Sequence, residues 1–106
     1  MSLTLYGLKN CDTCKKALAA LGEVSFVDIR AEADLTKKVP EWLAAAGPDT
    51  LVNKRSTTWR RLSEDERAAD PQALLIANPT LIKRPVIETA GTVHVGWTKD
   101  VQAGLL

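Results

Sequence analysis

Residues 3–30 read LTLYGLKNCDTCKKALAALGEVSFVDIR, and the way this run divides decides the fold. Leu3 and Leu5, within SLTLYG, read as a short strand that ends at Gly7, after which Leu8-Lys9-Asn10 forms a loop into Cys11. From Asp12 onward Cys14, Ala17, Leu18 and Leu21 recur at spacings of three and four, with Lys15 and Lys16 on the other side, which predicts an amphipathic helix stopped by Gly22. In the following EVSFVDIR, Val24 and Phe26 alternate with Ser25, Val27 and Ile29, a pattern suited to a strand covered on both faces. Strand, helix, strand is a βαβ unit, and two cysteines three residues apart stand where its first strand gives way to its helix.

From Ala31 to about Leu81 the composition turns helical. Trp42 and Leu43 lie on an apolar stripe, Gly47-Pro48 makes a break, and Pro40 fits only the opening turn of its helix. Ser63 and Glu66 have capping-box spacing, and Asp70-Pro71 has the form of an N-cap followed by proline at the first helical position. Two or three short helices are expected there. PVIET and TVHVG, joined by Ala90-Gly91, read as a tight antiparallel hairpin, and Thr98 can cap a last helix running through Val101 to about Leu105. The order βαβ, helical insertion (31–81), ββα fits an α/β fold with a small mixed four-stranded sheet and helices on its faces.

A chain of 106 residues is expected to form one domain over 1–106, large enough to bury a core without several disulfides or a structural metal. Hydrophobic residues at 45% and charged residues at 25% describe an ordinary soluble protein and exclude a disordered or collagen-like one. The formal charge of +1 leaves little long-range attraction for nucleic acid or an anionic membrane. No apolar run approaches a bilayer-spanning length and MSLTLYG lacks the pattern of a secretory signal, so a cytoplasmic location is expected. In a reducing compartment two cysteines point to redox chemistry or metal binding before a structural disulfide.

Cys11, at the start of a helix, lies beside N–H groups with no intrahelical acceptor, and these together with the positive end of the helix dipole stabilise a thiolate. An ordinary thiol with a pKa of about 8.5 is only roughly 3% ionised at pH 7, so this placement separates a nucleophile from an inert cysteine. Cys14 is one turn further on, with a Cβ separation of about 5 to 6 Å expected on a helix, close enough to resolve an adduct on Cys11 as an internal disulfide after modest adjustment. Two other readings stand beside this one. A zinc site needs three or four ligands, but beyond the cysteines only His94 supplies a ring nitrogen; buried, inert packing is the second, and fits Cys14 better than Cys11.

LYGLKNCDTCKKAL, NKRSTTWRRL and LIKRPVIE, taken together, resemble the arsenate reductase-like group of thioredoxin-fold proteins, which includes ArsC, the regulator Spx and the YffB proteins, with wording like that of YffB. The resemblance runs in family order from residue 3 to about residue 100. It implies a thioredoxin-like fold with a helical insertion between the second and third strands. It places the catalytic cysteine on Cys11; the members most like YffB often lack the second cysteine, so Cys14 points to a self-resolving pair instead of obligatory glutathione. It also places the family's arginine and cis-proline on Arg84-Pro85, where Arg84 would stabilise a thiolate or bound anion. Asn10, Arg55 and Pro85 become substrate-binding candidates. The implied activity is a thiol-dependent oxidoreductase with no bound cofactor, acting on glutathione or a small thiol or oxyanion, with glutathione or a thioredoxin- or glutaredoxin-type donor as reductant.

Two departures argue against arsenate as the substrate. Where arsenate-reducing members carry an arginine in the insertion, this chain reads Val52-Asn53-Lys54-Arg55, with Arg55 shifted by two positions, and where they carry another after the hairpin it has Gly96. Resemblance to Spx implies a different role, a redox-switched regulator that binds the C-terminal domain of the RNA polymerase α subunit. Lys54, Arg55, Arg60 and Arg61 around Trp59 could form its contact patch, or a solvated face with the aromatic turned inward. Direct nucleic-acid binding is not expected at this net charge. Ser56, Thr57 and Thr58 could donate to an anion or cap a helix entering Trp59. His94 is expected half-exposed on the hairpin, and Trp42 and Trp97 are expected to pack.

Overall fold

A computed structural model of the chain describes residues 3–106; Ser2, included in the strand expected from SLTLYG, lies outside the described residues. The fold is mixed α/β and thioredoxin-like, with a four-stranded sheet. Strands β1 (Thr4–Gly7), β2 (Ser25–Asp28), β3 (Val86–Thr89) and β4 (Thr92–Val95) form this sheet in the order β2-β1-β3-β4. β1 pairs parallel with β2 and antiparallel with β3, and β3 pairs antiparallel with β4. The described residues divide into two compact units, one made of residues 3–33 and 84–106 and the other of residues 34–83.

The first unit carries the sheet, helix α1 (Asp12–Leu21) and the last helix, α7 (Lys99–Leu105). Register places Leu5 opposite Phe26 on one side and Ile87 on the other, so one row of apolar side chains crosses three strands. Leu5, Ile87 and Ala17 of α1 are fully buried, and Leu18, Leu21, Val24, Phe26, Trp97 and Leu105 pack around them. The three-and-four spacing read along α1 is therefore the spacing of its sheet-facing side. Gly91, at φ 91°, makes the hairpin turn without a Cβ penalty. The Thr98 hydroxyl accepts the Val101 N–H and caps α7 as expected.

The expectation that the second strand is covered on both faces is corrected. β2 is an edge strand, with Ser25 exposed and Phe26, Val27 and Asp28 only half-buried. Local alternation cannot show which strand lies at the sheet margin, because strand order is set by the later return of β3 beside β1.

The second unit is helical and more finely broken than the two or three helices expected. It contains α2 (Leu35–Ala46), α3 (Pro48–Leu51), α4 (Thr57–Arg61), α5 (Glu64–Arg67), α6 (Pro71–Ala77) and a 3₁₀ turn (Pro79–Leu81). Pro40 sits inside α2, not in its opening turn. Buried Leu35, Val39 and Trp42 hold one apolar face continuous past it, and Thr36, whose carbonyl would otherwise accept from residue 40, is exposed. α2 packs against α3 and α6. A bridge from Val52 to Ile82 ties the stretch after α3 to the end of the unit, with Asn53 N–H donating to the Leu81 carbonyl and Lys83 N–H to the Leu51 carbonyl, each at 2.8 Å. The Ser63–Glu66 capping box and the Asp70-Pro71 start of α6 are both present.

Candidate active site

The junction from β1 to α1 is a tight turn in which the Cys11 N–H donates to the Leu8 carbonyl at 3.2 Å. Cys11 is the N-cap of α1, with extended backbone (φ −94°, ψ 120°), and its carbonyl accepts the Lys15 N–H at 3.0 Å to start the helix. Its thiol is free and half-buried. Partial burial is the largest influence on that thiol and opposes ionisation. It is outweighed by the Cys14 backbone N–H, the Cys14 thiol, the positive charge of Arg84 and the Thr13 N–H, and the net effect holds Cys11 below the ordinary thiol value.

Cys14 behaves in the opposite way. It is fully buried within the first turn of α1, and burial pushes its thiol up to about 11. The Leu8 N–H and Arg84 pull it down, but the neighbouring Cys11, by hydrogen bond and by charge, pushes it further up. The two thiols influence each other in opposite senses: Cys14 favours ionisation of Cys11, and Cys11 disfavours ionisation of Cys14. A C-x-x-C motif in a helix's first turn thus holds one sulfur ready to ionise and one held neutral.

Arg84 is half-buried and joined to Pro85 by a cis peptide bond, as the resemblance implied. Pro85 is buried, and its carbonyl accepts the Gly96 N–H at 2.8 Å. Gly96 is buried with φ 84°, a backbone conformation that disfavours a side chain, and its N–H fastens the proline turn.

Cys11, Cys14 and Arg84 are brought together electrostatically, with Pro85 adjoining. Asn10 lies exposed in the turn before Cys11. Arg55 belongs to the second unit, exposed in the loop between α3 and α4, where its N–H donates to Asn53 Oδ1 at 3.1 Å. Among the described residues there is no cluster of three or more histidine, cysteine, aspartate or glutamate side chains suited to a metal ion.

Of the two options left open for Ser56, the structure takes capping: its Oγ accepts the Trp59 N–H at 3.1 Å and donates to the Asn53 carbonyl at 2.8 Å. Lys54, Arg55, Arg60 and Arg61 are exposed, and Trp59 is half-buried. Sequence reasoning missed Arg67. Its guanidinium lies 5.0 Å from the Trp59 ring centroid and donates to the Trp59 carbonyl through Nε and an Nη at 3.1 and 3.0 Å. No motif marks it, because the partners are eight residues apart. Gly7, Leu8 and Thr13 were also missed as parts of the cysteine environment; two act through backbone N–H groups, which every residue but proline carries. His94 is half-buried on β4, Trp97 packs on the sheet core and Trp42 is fully buried in the second unit.

A strand-to-helix junction carrying a C-x-x-C, set in a mixed four-stranded sheet beside a cis-proline turn, defines a protein of the thioredoxin-like class. Within that class the chain belongs to the ArsC family, whose model matches residues 6–103. A protein of uncharacterised function from Haemophilus influenzae is 41% identical over 110 residues, covering 95% of this chain and 96% of that one. The global transcriptional regulator Spx of Listeria innocua is 30% identical over 107 residues, covering 92% of this chain and 82% of that one. A solved YffB protein superposes with a TM-score of 0.86 at 35% identity, covering 99% of each chain. Among the described residues no helix is long and apolar enough to cross a membrane.

Proposed function

We infer that this chain is a thiol–disulfide oxidoreductase in which Cys11 is the nucleophile, Cys14 the resolving thiol and Arg84 the anion stabiliser. The reading rests chiefly on one observation, the lowered Cys11 thiol at the mouth of α1 against a neutral, buried Cys14. Membership of the ArsC family supports a thiol-based chemistry. The Cys11 thiolate attacks one sulfur of a substrate disulfide, forming a mixed disulfide and releasing the other sulfur as a thiolate. Cys11 then carries no charge, so both of its upward effects on Cys14 disappear; burial still opposes ionisation there, but the Leu8 N–H and Arg84 now meet less resistance. Cys14 gives up its proton and attacks the Cys11 sulfur, expelling the second substrate thiol and leaving a Cys11–Cys14 disulfide. Two electrons from glutathione, or from a dithiol of the thioredoxin or glutaredoxin type, return the pair to its reduced form. Asn10, in the turn before Cys11, and Pro85, joined to Arg84, are the substrate-contact candidates of this unit.

Turnover is expected with low-molecular-weight disulfides or glutathionylated peptides and not with arsenate, because Gly96 supplies a backbone fastening where arsenate-reducing members have a guanidinium. A coupled glutathione or thioredoxin assay over these three substrate types tests this, and equal or better turnover of arsenate would overturn the substrate assignment. Cys14→Ser is expected to accumulate a mixed disulfide on Cys11, visible by intact mass, while turnover falls. Undiminished turnover removes Cys14 from the mechanism.

The 30% identity to Spx supports a second reading, a redox-switched regulator that binds the C-terminal domain of the RNA polymerase α subunit. Titrating that domain with the reduced and oxidised protein separates the two: redox-dependent affinity without substrate turnover favours the regulator.

A further inference from the structure

Gly7 closes β1, and its φ is not among the positive values found at Gly22, Gly47, Gly91 and Gly96. The backbone there does not call for glycine. Space does: a Cβ on Gly7 would stand 2.5 Å from the Cys14 Sγ and 3.4 Å from the Cys14 Cβ, with Leu5 Cδ2 at 3.3 Å. A sulfur–carbon approach of 2.5 Å is inside van der Waals contact by about 1 Å. Cys14 has no exposed surface, so a displaced sulfur has to move within packed surroundings. The same thiol interacts with the Leu8 N–H and with Cys11.

We propose that Gly7 is a positioning residue for the cysteine pair: its missing side chain is the seat of the Cys14 sulfur, and that seat aims the Cys14 proton at Cys11. This deepens the reading of Cys11 as an activated nucleophile and rests on it. Gly7 touches neither substrate nor the reacting sulfur and acts only through Cys14. A methyl group at position 7 evicts Sγ from the strand, separates it from the Leu8 N–H and withdraws its proton from Cys11. Cys11 then keeps Arg84 and the helix N–H groups but loses one hydrogen-bond donor, so it ionises less readily.

The test is the pH profile of iodoacetamide alkylation at Cys11, followed by mass spectrometry of its peptide. The reduced protein is compared with Gly7→Ala, Cys14→Ala and the double variant. The midpoint is expected to rise in Gly7→Ala to that of Cys14→Ala, and to rise no further in the double variant, where no sulfur remains to be displaced. If Gly7→Ala fails to fold while the double variant folds, the conflict between methyl and sulfur is demonstrated, and the midpoint of Cys14→Ala decides: above that of the parent it supports the proposal, equal to it the proposal is overturned. A Gly7→Ala midpoint equal to that of the parent overturns it. So does a further rise in the double variant, or failure of both variants to fold, since position 7 would then act other than through Cys14. A parent midpoint in the ordinary thiol range overturns the reading of Cys11 itself and takes the proposal with it, whereas a lowered parent midpoint shared by Gly7→Ala overturns the proposal alone.

Discussion

One helical turn separates Cys11 from Cys14, and the two thiols are driven in opposite directions by different atoms. The consequence for stability follows from where each proton sits in the folded and unfolded chain. Cys14 titrates at about 11 when folded against an ordinary 9.0. Between those values the unfolded chain has released the proton and the folded protein retains it. Its contribution is therefore complete below the ordinary value and lost as pH climbs toward the folded one. Cys11 is lowered on folding, so its contribution is present above the ordinary thiol value and lost as pH falls through the lowered one. The denaturation midpoint of the reduced protein is thus expected to fall more steeply between pH 9 and 11 than that of Cys14→Ala, as urea titrations at fixed pH steps would read. Parallel curves would mean that the buried thiol ionises freely. At this scale the sequence showed Cys11 at the start of its helix, because a cysteine entering a helix is a local pattern. It did not show Gly7, whose role depends on an atom seven residues away that only the folded turn brings against it.

At the scale of the element, the boundaries that depend on neighbouring residues were readable and those that depend on distant packing were not. The capping box at Ser63, the Asp70 cap and the Thr98 cap each join residues three apart, and each is present. Pro40 is the contrary case. The local rule places proline in a first turn, yet α2 runs from Leu35 through it because buried Leu35, Val39 and Trp42 reward a continuous face. Pro40→Ala restores an N–H able to donate to the Thr36 carbonyl. Allowing for greater freedom in the unfolded chain, it is expected to raise stability by about 1 to 3 kcal/mol. Chemical denaturation would read the gain, and a loss would show that the proline ring is a packing element in its own right. β2 taught the same lesson from another side: its alternation was real, but its half-exposure came from its place at the sheet margin.

For the molecule as a whole, βαβ, helical insertion and ββα could be followed from one end of the chain to the other, since hydrophobic period and turn residues change visibly at each junction. The fineness of the insertion could not, because helices of four and five residues such as α3, α4 and α5 are too short to show a period. The sheet unit draws its core from both ends of the sequence, with Leu5 opposite Ile87 and both fully buried. Ile87→Ala leaves a cavity at that junction and is expected to cost about 2 to 5 kcal/mol in denaturant unfolding. A cost under about 1 kcal/mol, typical of a surface substitution, would contradict the fully buried placement.

Because β1 lies between β2 and β3, the strand that leads into Cys11 completes its hydrogen bonding only with a partner some eighty residues downstream. Arg84 arrives with that same partner. During synthesis both thiols therefore leave the ribosome long before the guanidinium that favours the Cys11 thiolate. The emerging cysteines lack the charge environment of the finished fold, which awaits the closing of the longest loop in the sheet.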